Sequence, residues 1–436
     1  MERKNNTVDY ILFSVLCLFV FAIPKSGFNI CNIPFYVGII VVVIYIALNL
    51  RFYKPLVLID LIPYWGFISL LIYLLMHDLN NKETVIRYIL GFVVLPILFN
   101  IIIRKKLSIK DMLKIITIVG AIPVIYGIIQ IMFGIESTII PGLTANYTQL
   151  KNFNFDVYKL LTAKCNKVGE YYKLISTYQN GNMFGIFLVL YYPLLLYWEK
   201  TKWKNISYLL QSLTIICIFR SLSRTAIIAF VMLIVILNLV RIFFKKFNIT
   251  IKEFVYKTTL TITILIILST ISKEGLIKPI IMRLFNNKSE EIVTMNNRIT
   301  PGLLSNTSLV KLLLGNPNFG HESLYVEVLF SLGILMGCLF LLTLFFIDYK
   351  LVKFLKNKGS SELYGVFILS FLSVQIAAIS DIAWGLFPIE SQFWIIYALN
   401  IIALSQSDID ISSVKLQRAF SFMRQMIFKI STKNST

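Results

Sequence analysis

Three arginines and a histidine are the residues of this sequence best suited to chemistry on an anion. Arg220 and Arg224 flank a short polar stretch, Phe219-Arg220-Ser221-Leu222-Ser223-Arg224-Thr225, that joins two long apolar segments. A guanidinium is a planar fork of N–H donors that grips phosphate oxygens two at a time and keeps its proton, so a pair at one turn suits a phosphate or diphosphate. The alternative for both is to snorkel toward ordinary lipid headgroups. His321 is one of two histidines, the other being His77, and Glu322 follows it. Imidazole titrates close to neutrality, which makes His321 a candidate general base with Glu322 second in line; a satisfied interfacial histidine is the competing reading. Arg298, in Asn296-Asn297-Arg298-Ile299, lies in the same connection as His321. With no clustered Asp, Glu or Cys beside the two histidines, neither a metal nor another cofactor is expected.

These residues need a membrane to present them. At 57% hydrophobic and 15% charged, 436 residues cannot hide their apolar side chains in one aqueous core. Stretches suited to spanning helices occur at 9–23, 35–50, 56–76, 85–103, 112–134, 182–198, 206–220, 225–244, 254–271, 323–347, 363–380 and 388–404. The expectation is an all-α polytopic membrane protein of about twelve spans, one membrane domain over residues 1–436. The first stretch lacks a small-residue cleavage pattern and reads as retained. The net charge of +20 is not a nucleic-acid signal, because lysine and arginine gather in alternate short connections. Arg51 and Lys54, Arg104 to Lys106, Lys200 to Lys204, Arg241 to Lys246, Lys350 to Lys358 and the basic tail 405–436 fall on one side with Arg3 and Lys4. That side is the cytoplasm, so both termini are expected there and the 219–225 turn outside.

Two connections are long, 135–181 and 272–322, and both are expected outside. Loops of that length in a compact protein carry function or are disordered. The first mixes Tyr147, Phe153, Phe155, Tyr158, Tyr171 and Tyr172 with amides, and Tyr178, Asn180 and Asn182 at its end are candidate glycan-binding residues. Rings stack on sugar faces and amides bond hydroxyls; interfacial anchoring by tyrosine accounts for the same composition. The second holds a short helix expected over Ser308 to Leu314, with Gly315 and Pro317 as stop signals, and delivers His321 to the mouth of the next span. Lys273, Lys278, Arg283 and Lys288 sit in it as exceptions to the charge bias. Gly333 and Gly337 form a G-x-x-x-G suited to close helix packing. Five cysteines show no metal or redox spacing, and Cys31 with Cys165, in different outward loops, leaves a disulfide open.

Three segments occur in a telling order: Ser176-Thr177-Tyr178-Gln179-Asn180-Gly181-Asn182 before a span containing Pro193, Ser223-Arg224-Thr225-Ala226 at the next span but one, and Gly315-Asn316-Pro317 through His321 to Gly333 and Gly337. Over roughly residues 170–345 the chain thereby resembles the O-antigen ligase and polymerase superfamily of bacterial envelope glycan assembly. The resemblance implies a GT-C-like membrane glycosyltransferase of the bacterial cytoplasmic (inner) membrane. It implies transfer of a glycan from an undecaprenyl-pyrophosphate carrier to an acceptor hydroxyl on the outer face, without nucleotide sugar or cofactor. Arg220, Arg224 and Arg298 would stabilise the pyrophosphate, and His321 would take the proton. Polymerisation of repeat units into O-antigen, capsular or exopolysaccharide is the favoured form. Ligation of finished glycan to a lipid or protein is the alternative, and a lipid-linked oligosaccharide flippase is the reading from another class. The implied partners are the lipid-linked glycan, membrane lipids and a chain-length regulator.

Overall fold

The computed structural model describes residues 2–30, 33–53, 89–104, 107–163, 166–178, 180–273, 275–285, 309–316, 321, 323–356, 362–381 and 386–405. The third expected span, the first residues of the fourth, Cys31, Cys165 and the tail from 406 lie outside the described residues.

Helix α1 (Glu2–Cys17) ends in a π-type turn, Leu18–Ala22, and leads to an antiparallel hairpin, β1 (Gly27–Ile30) with β2 (Ile33–Tyr36), and then α2 (Val37–Asn49). After a second π-type turn, Leu90–Val94, come α3 (Leu95–Arg104) and α4 (Ile109–Phe133). The expected loop 135–181 holds α5 (Tyr147–Asn152), α6 (Val157–Ala163) and a second small hairpin, β3 (Lys167–Val168) with β4 (Tyr171–Tyr172). The central run is α7 (Gly181–Leu196), α8 (Lys204–Arg220), α9 (Arg224–Phe244) and α10 (Ile251–Ile271). The expected loop 272–322 holds α11 (Ile277–Phe285) and α12 (Leu309–Leu314). These are followed by α13 (Leu324–Ser331), α14 (Ile334–Lys356), α15 (Glu362–Ala378) and α16 (Ile389–Ser405). The chain is therefore mostly helical, and the two hairpins qualify the all-α expectation. In the first, Phe28 and Phe35 face each other across the strands and stack, ring centres 6.5 Å apart.

Among the described residues, four helices are long and apolar enough to cross a membrane: Ile109–Phe133, Gly181–Lys200, Arg224–Phe244 and Ile251–Ile271. The longest, α4, has 25 residues and extends about 37 Å, more than a hydrocarbon core of about 30 Å. What these helices expose identifies their solvent. Ile118, Ile122, Ile125, Ile129 and Phe133 form an exposed stripe on α4, and Ile228, Val231, Val235, Leu239 and Ile242 form another on α9, each at steps of three or four residues. On α10 only Leu268 is buried. Water contact with such stripes forfeits about 25 cal/mol per Å² of apolar surface, whereas a lipid phase wets them without that loss.

Helix α7 occupies the centre, every residue from Met183 to Leu196 being buried. It contains Pro193, which has no N–H and leaves the Val189 carbonyl, four residues back, without its helical donor. Helix α15 repairs the gap, with the Ser373 hydroxyl donating to the Val189 carbonyl at 3.2 Å and Ser370 to that of Leu190 at 2.7 Å. On another side Gly120 of α4 admits the Tyr191 ring, whose hydroxyl donates to the Thr117 carbonyl at 2.6 Å.

The consecutive helices α7 to α10 alternate in direction, so the bundle has two distinct ends. At one, Lys200 pairs with Glu362 and Lys204 with Glu253, both at 2.6 Å, and Lys257 pairs with Glu199. These contacts gather the C-terminus of α7 and the N-termini of α8, α10 and α15. At the other lie the N-termini of α7 and α9 and the C-termini of α4, α8 and α15.

One expected span is not a single helix. The stretch 323–347 is interrupted between α13 and α14, where Gly333 takes φ +82, a left-handed backbone open to glycine. In a continuous helix Leu329 and Gly337 would be about 12 Å apart, but a Cβ on Gly337 would lie 2.7 Å from the Leu329 Cα, so α14 folds back on α13. The end of α12 fixes this bend. A Cβ on Gly315 would come within 2.7 Å of the Gly333 amide nitrogen, and the Asn316 amide donates to the Phe330 carbonyl at 2.8 Å. The apolar run hid a stop that only the second glycine, eighteen positions upstream, makes room for.

Candidate functional site

The α8–α9 connection is short, and its sequence explains its shape. Arg220 closes α8, where the negative end of the helix favours a cation. Leu222 then takes φ +53, and the Ser221 hydroxyl bonds the Ile218 carbonyl at 2.6 Å, terminating the helix at once. Ser223 caps α9 by accepting from the Ala226 amide at 3.3 Å. Arg224 therefore stands in the first turn of α9, at the positive end of the helix and beside its outward-pointing amides.

The two arginines of this turn do different things. Arg220 is buried, its guanidinium donating to the Tyr172 carbonyl while its own carbonyl accepts from the Leu174 amide at 3.2 Å. It ties β4 to the end of α8. Arg224 is half-buried and donates to the Arg283 carbonyl at 3.3 Å, while Arg283 of α11 donates from Nε to the Leu222 carbonyl at 3.1 Å. The two side chains cross, each holding the main chain of the other's segment. A guanidinium donates in the plane of its fork, so these two bonds fix the direction of both forks.

A second helix N-terminus abuts the turn. Asn180 caps α7 by accepting from the Met183 amide at 2.9 Å, and a Cβ on Gly181 would meet the Ser221 carbonyl oxygen at 2.6 Å. Gly185 likewise lies against Ala226 of α9. Asn182 donates to Asp381 at 3.2 Å, and Ser380 donates to Thr225 at 3.2 Å, which locks the end of α15 onto both N-termini. Of the candidate glycan-binding residues, Asn180 is thus a cap and Asn182 a link to Asp381. Tyr178 is fully buried: its ring stacks on Phe187 at 5.1 Å and its hydroxyl donates to the Phe21 carbonyl at 2.9 Å, so it serves packing and no sugar reaches it in this arrangement.

His321 is buried just ahead of α13, and its Nδ1 accepts from the Ser323 amide at 2.9 Å. A nitrogen that accepts carries no hydrogen, so the neutral ring holds its proton on Nε2 in this geometry. Tyr325, four residues on, donates to the Gln375 carbonyl of α15 at 3.0 Å. Gln375 precedes Asp381 by six residues, about 9 Å along the chain axis of α15 and its last turn, so the His321 segment and the arginine turn lean on the same stretch. Arg298 and Glu322 lie outside the described residues.

No family model matches this chain, and no curated protein matches it.

Sequence reasoning passed over two members of this site. Arg283 entered only as an exception to the charge bias; the signal was its place in Ile277–Phe285, a short stretch with one apolar face and an arginine in its last turn. Asp381 directly follows an apolar span at the end that carries the arginines, and an acid there was the available sign.

Proposed function

We propose that the chain is a membrane glycosyltransferase that polymerises undecaprenyl-pyrophosphate-linked repeat units into O-antigen, capsular or exopolysaccharide on the outer face of the bacterial cytoplasmic membrane. About twelve spans with both termini in the cytoplasm set the α8–α9 turn at the outer rim, within reach of a lipid-borne diphosphate. The observation that carries this reading is the crossed pair Arg224 and Arg283 at the N-termini of α9 and α7. Fixed forks beside two positive helix ends suit an anion whose charge grows as a bond breaks.

In the proposed step an acceptor hydroxyl oxygen attacks the anomeric carbon of the lipid-linked sugar. The bond from that carbon to the diphosphate oxygen breaks, and its electron pair leaves with the diphosphate, which Arg224, Arg283 and Arg298 stabilise. The hydroxyl proton passes to His321 or Glu322. Proton uptake at Nδ1 of His321 requires release of the Ser323 amide, which links the base to a movement just ahead of α13.

The test is to give the purified chain, in lipid nanodiscs, a synthetic undecaprenyl-pyrophosphate-linked repeat unit and to run the product on a gel. A ladder is the expected result. A single shift on adding a separate acceptor would make the protein a ligase, and unaltered substrate moved across a vesicle wall would make it a transporter; either replaces the proposal.

A further inference from the structure

The two long connections meet around an open cavity of about 340 Å³, lined by Glu136, Ser137, Glu170, Tyr171, Tyr172 and Lys273. Its size falls within the roughly 300–1,000 Å³ of small-molecule sites. One wall is the turn after α4, where Gly134 takes φ +91 and the hydroxyls of Ser137 and Thr138 bond the Phe133 and Gly134 carbonyls at 2.6 and 2.9 Å. The opposite wall is the β3–β4 hairpin. There Lys173 donates its amide to the Asn166 carbonyl at 2.7 Å, and the Tyr172 ring packs edge-on against Tyr158 at 6.3 Å. Lys273, just past α10, closes the third side.

This cavity shares a residue with the arginine turn. The Tyr172 carbonyl holds Arg220, and Tyr172 is also one of the residues lining the cavity, so a single strand links the two. The lining chemistry is that of carbohydrate recognition: flat rings with polar tips, carboxylates that accept from hydroxyls, and an ammonium that donates. It also discriminates. The chain carries 42 lysines and arginines against 22 acids, yet here two carboxylates stand against one lysine. An acidic sugar meets like charge in this cavity, and a neutral or amine-bearing one does not.

We propose that this cavity is a saccharide subsite for a neutral or amino sugar of the growing glycan, set one strand away from the diphosphate-binding arginines. This rests on the polymerase reading for the identity of the glycan, but the binding itself is testable without lipid or turnover. Full-length protein in nanodiscs is titrated calorimetrically with chitotetraose, its de-N-acetylated amine form and tetragalacturonate. The neutral and amine forms should bind at least tenfold more tightly than the acid. Tyr171→Ala should weaken both by about tenfold, and Glu170→Gln should narrow the gap between neutral and acidic sugars. Absence of binding by all three saccharides, or titrations unchanged in both variants, overturns the subsite, while a ladder in the lipid-linked assay would leave the polymerase reading in place. Binding with the expected preference in a protein that makes no ladder supports the subsite and removes the polymerase reading alone.

Discussion

The two ends of the helical bundle treat charge in opposite ways. At one end lysines meet carboxylates directly: Lys200 with Glu362, Lys204 with Glu253, Lys257 with Glu199. At the other, Arg220, Arg224 and Arg283 are held by main-chain carbonyls of Tyr172, Arg283 and Leu222. The first arrangement pairs opposite charges and fastens helix ends; the second aims guanidinium groups through main-chain oxygens. The difference teaches how main-chain oxygens aim a fork, and on the proposed reading it separates residues that hold the bundle from residues that meet a ligand.

The sharpest way to break this comparison is to remove a fork. Arg224→Ala is expected to lower polymer yield by about 100-fold or more with the protein still folded and inserted, in the range seen when a charge-stabilising donor is lost. Arg224→Lys should fail almost as badly, because a point charge does not replace the planar fork. Wild-type ladders from either variant would reduce the arginine end to ordinary headgroup contact.

A somewhat smaller effect is expected at His321. His321→Asn retains a side-chain acceptor for the amide two residues on, that of Ser323, but removes the titratable ring. If the ring moves a proton, product formation should fall at least tenfold with thermal stability unchanged. Retained activity would make His321 a structural partner of the Ser323 amide alone.

At the opposite end the same kind of change should cost stability and spare chemistry. Lys257→Ala leaves Glu199 largely buried without its ammonium, and about 2 kcal/mol of stability should go, read as a lower melting temperature in detergent. Activity per folded molecule should match the wild type. The mildest expectation concerns Glu253, which pairs with Lys204 at 2.6 Å and accepts from the Thr250 amide in a capping box. Glu253→Ala removes both contacts at a partly exposed helix end, so about 1 kcal/mol of stability should go, read as a smaller melting shift than that of Lys257→Ala.

Much of the fold was legible because its signals are local. Apolar stretches of span length, Asn180 and Ser223 ahead of their helices, and Thr250 with Glu253 three residues on each act within a few positions of the chain. The helix over Leu309–Leu314 followed from its glycine stop in the same way. That two guanidinium groups flank the α8–α9 turn was also readable; that main-chain carbonyls of Tyr172 and Arg283 hold them was not.

The sequence by itself determined which segments are helices, which of them suit lipid, and that cations cluster where two of them meet. Tertiary structure alone decided which cations are displayed. Arg283 reaches Leu222 across 61 positions and Asn182 reaches Asp381 across 199, separations over which no local pattern operates. It likewise sent Tyr178 into the core and set Tyr171 and Tyr172 at a cavity, although all three present the same aromatic body and polar tip. The physical reason is that a ring or a guanidinium is defined by what surrounds it, and the surroundings here come from segments far apart in the chain that only packing brings together.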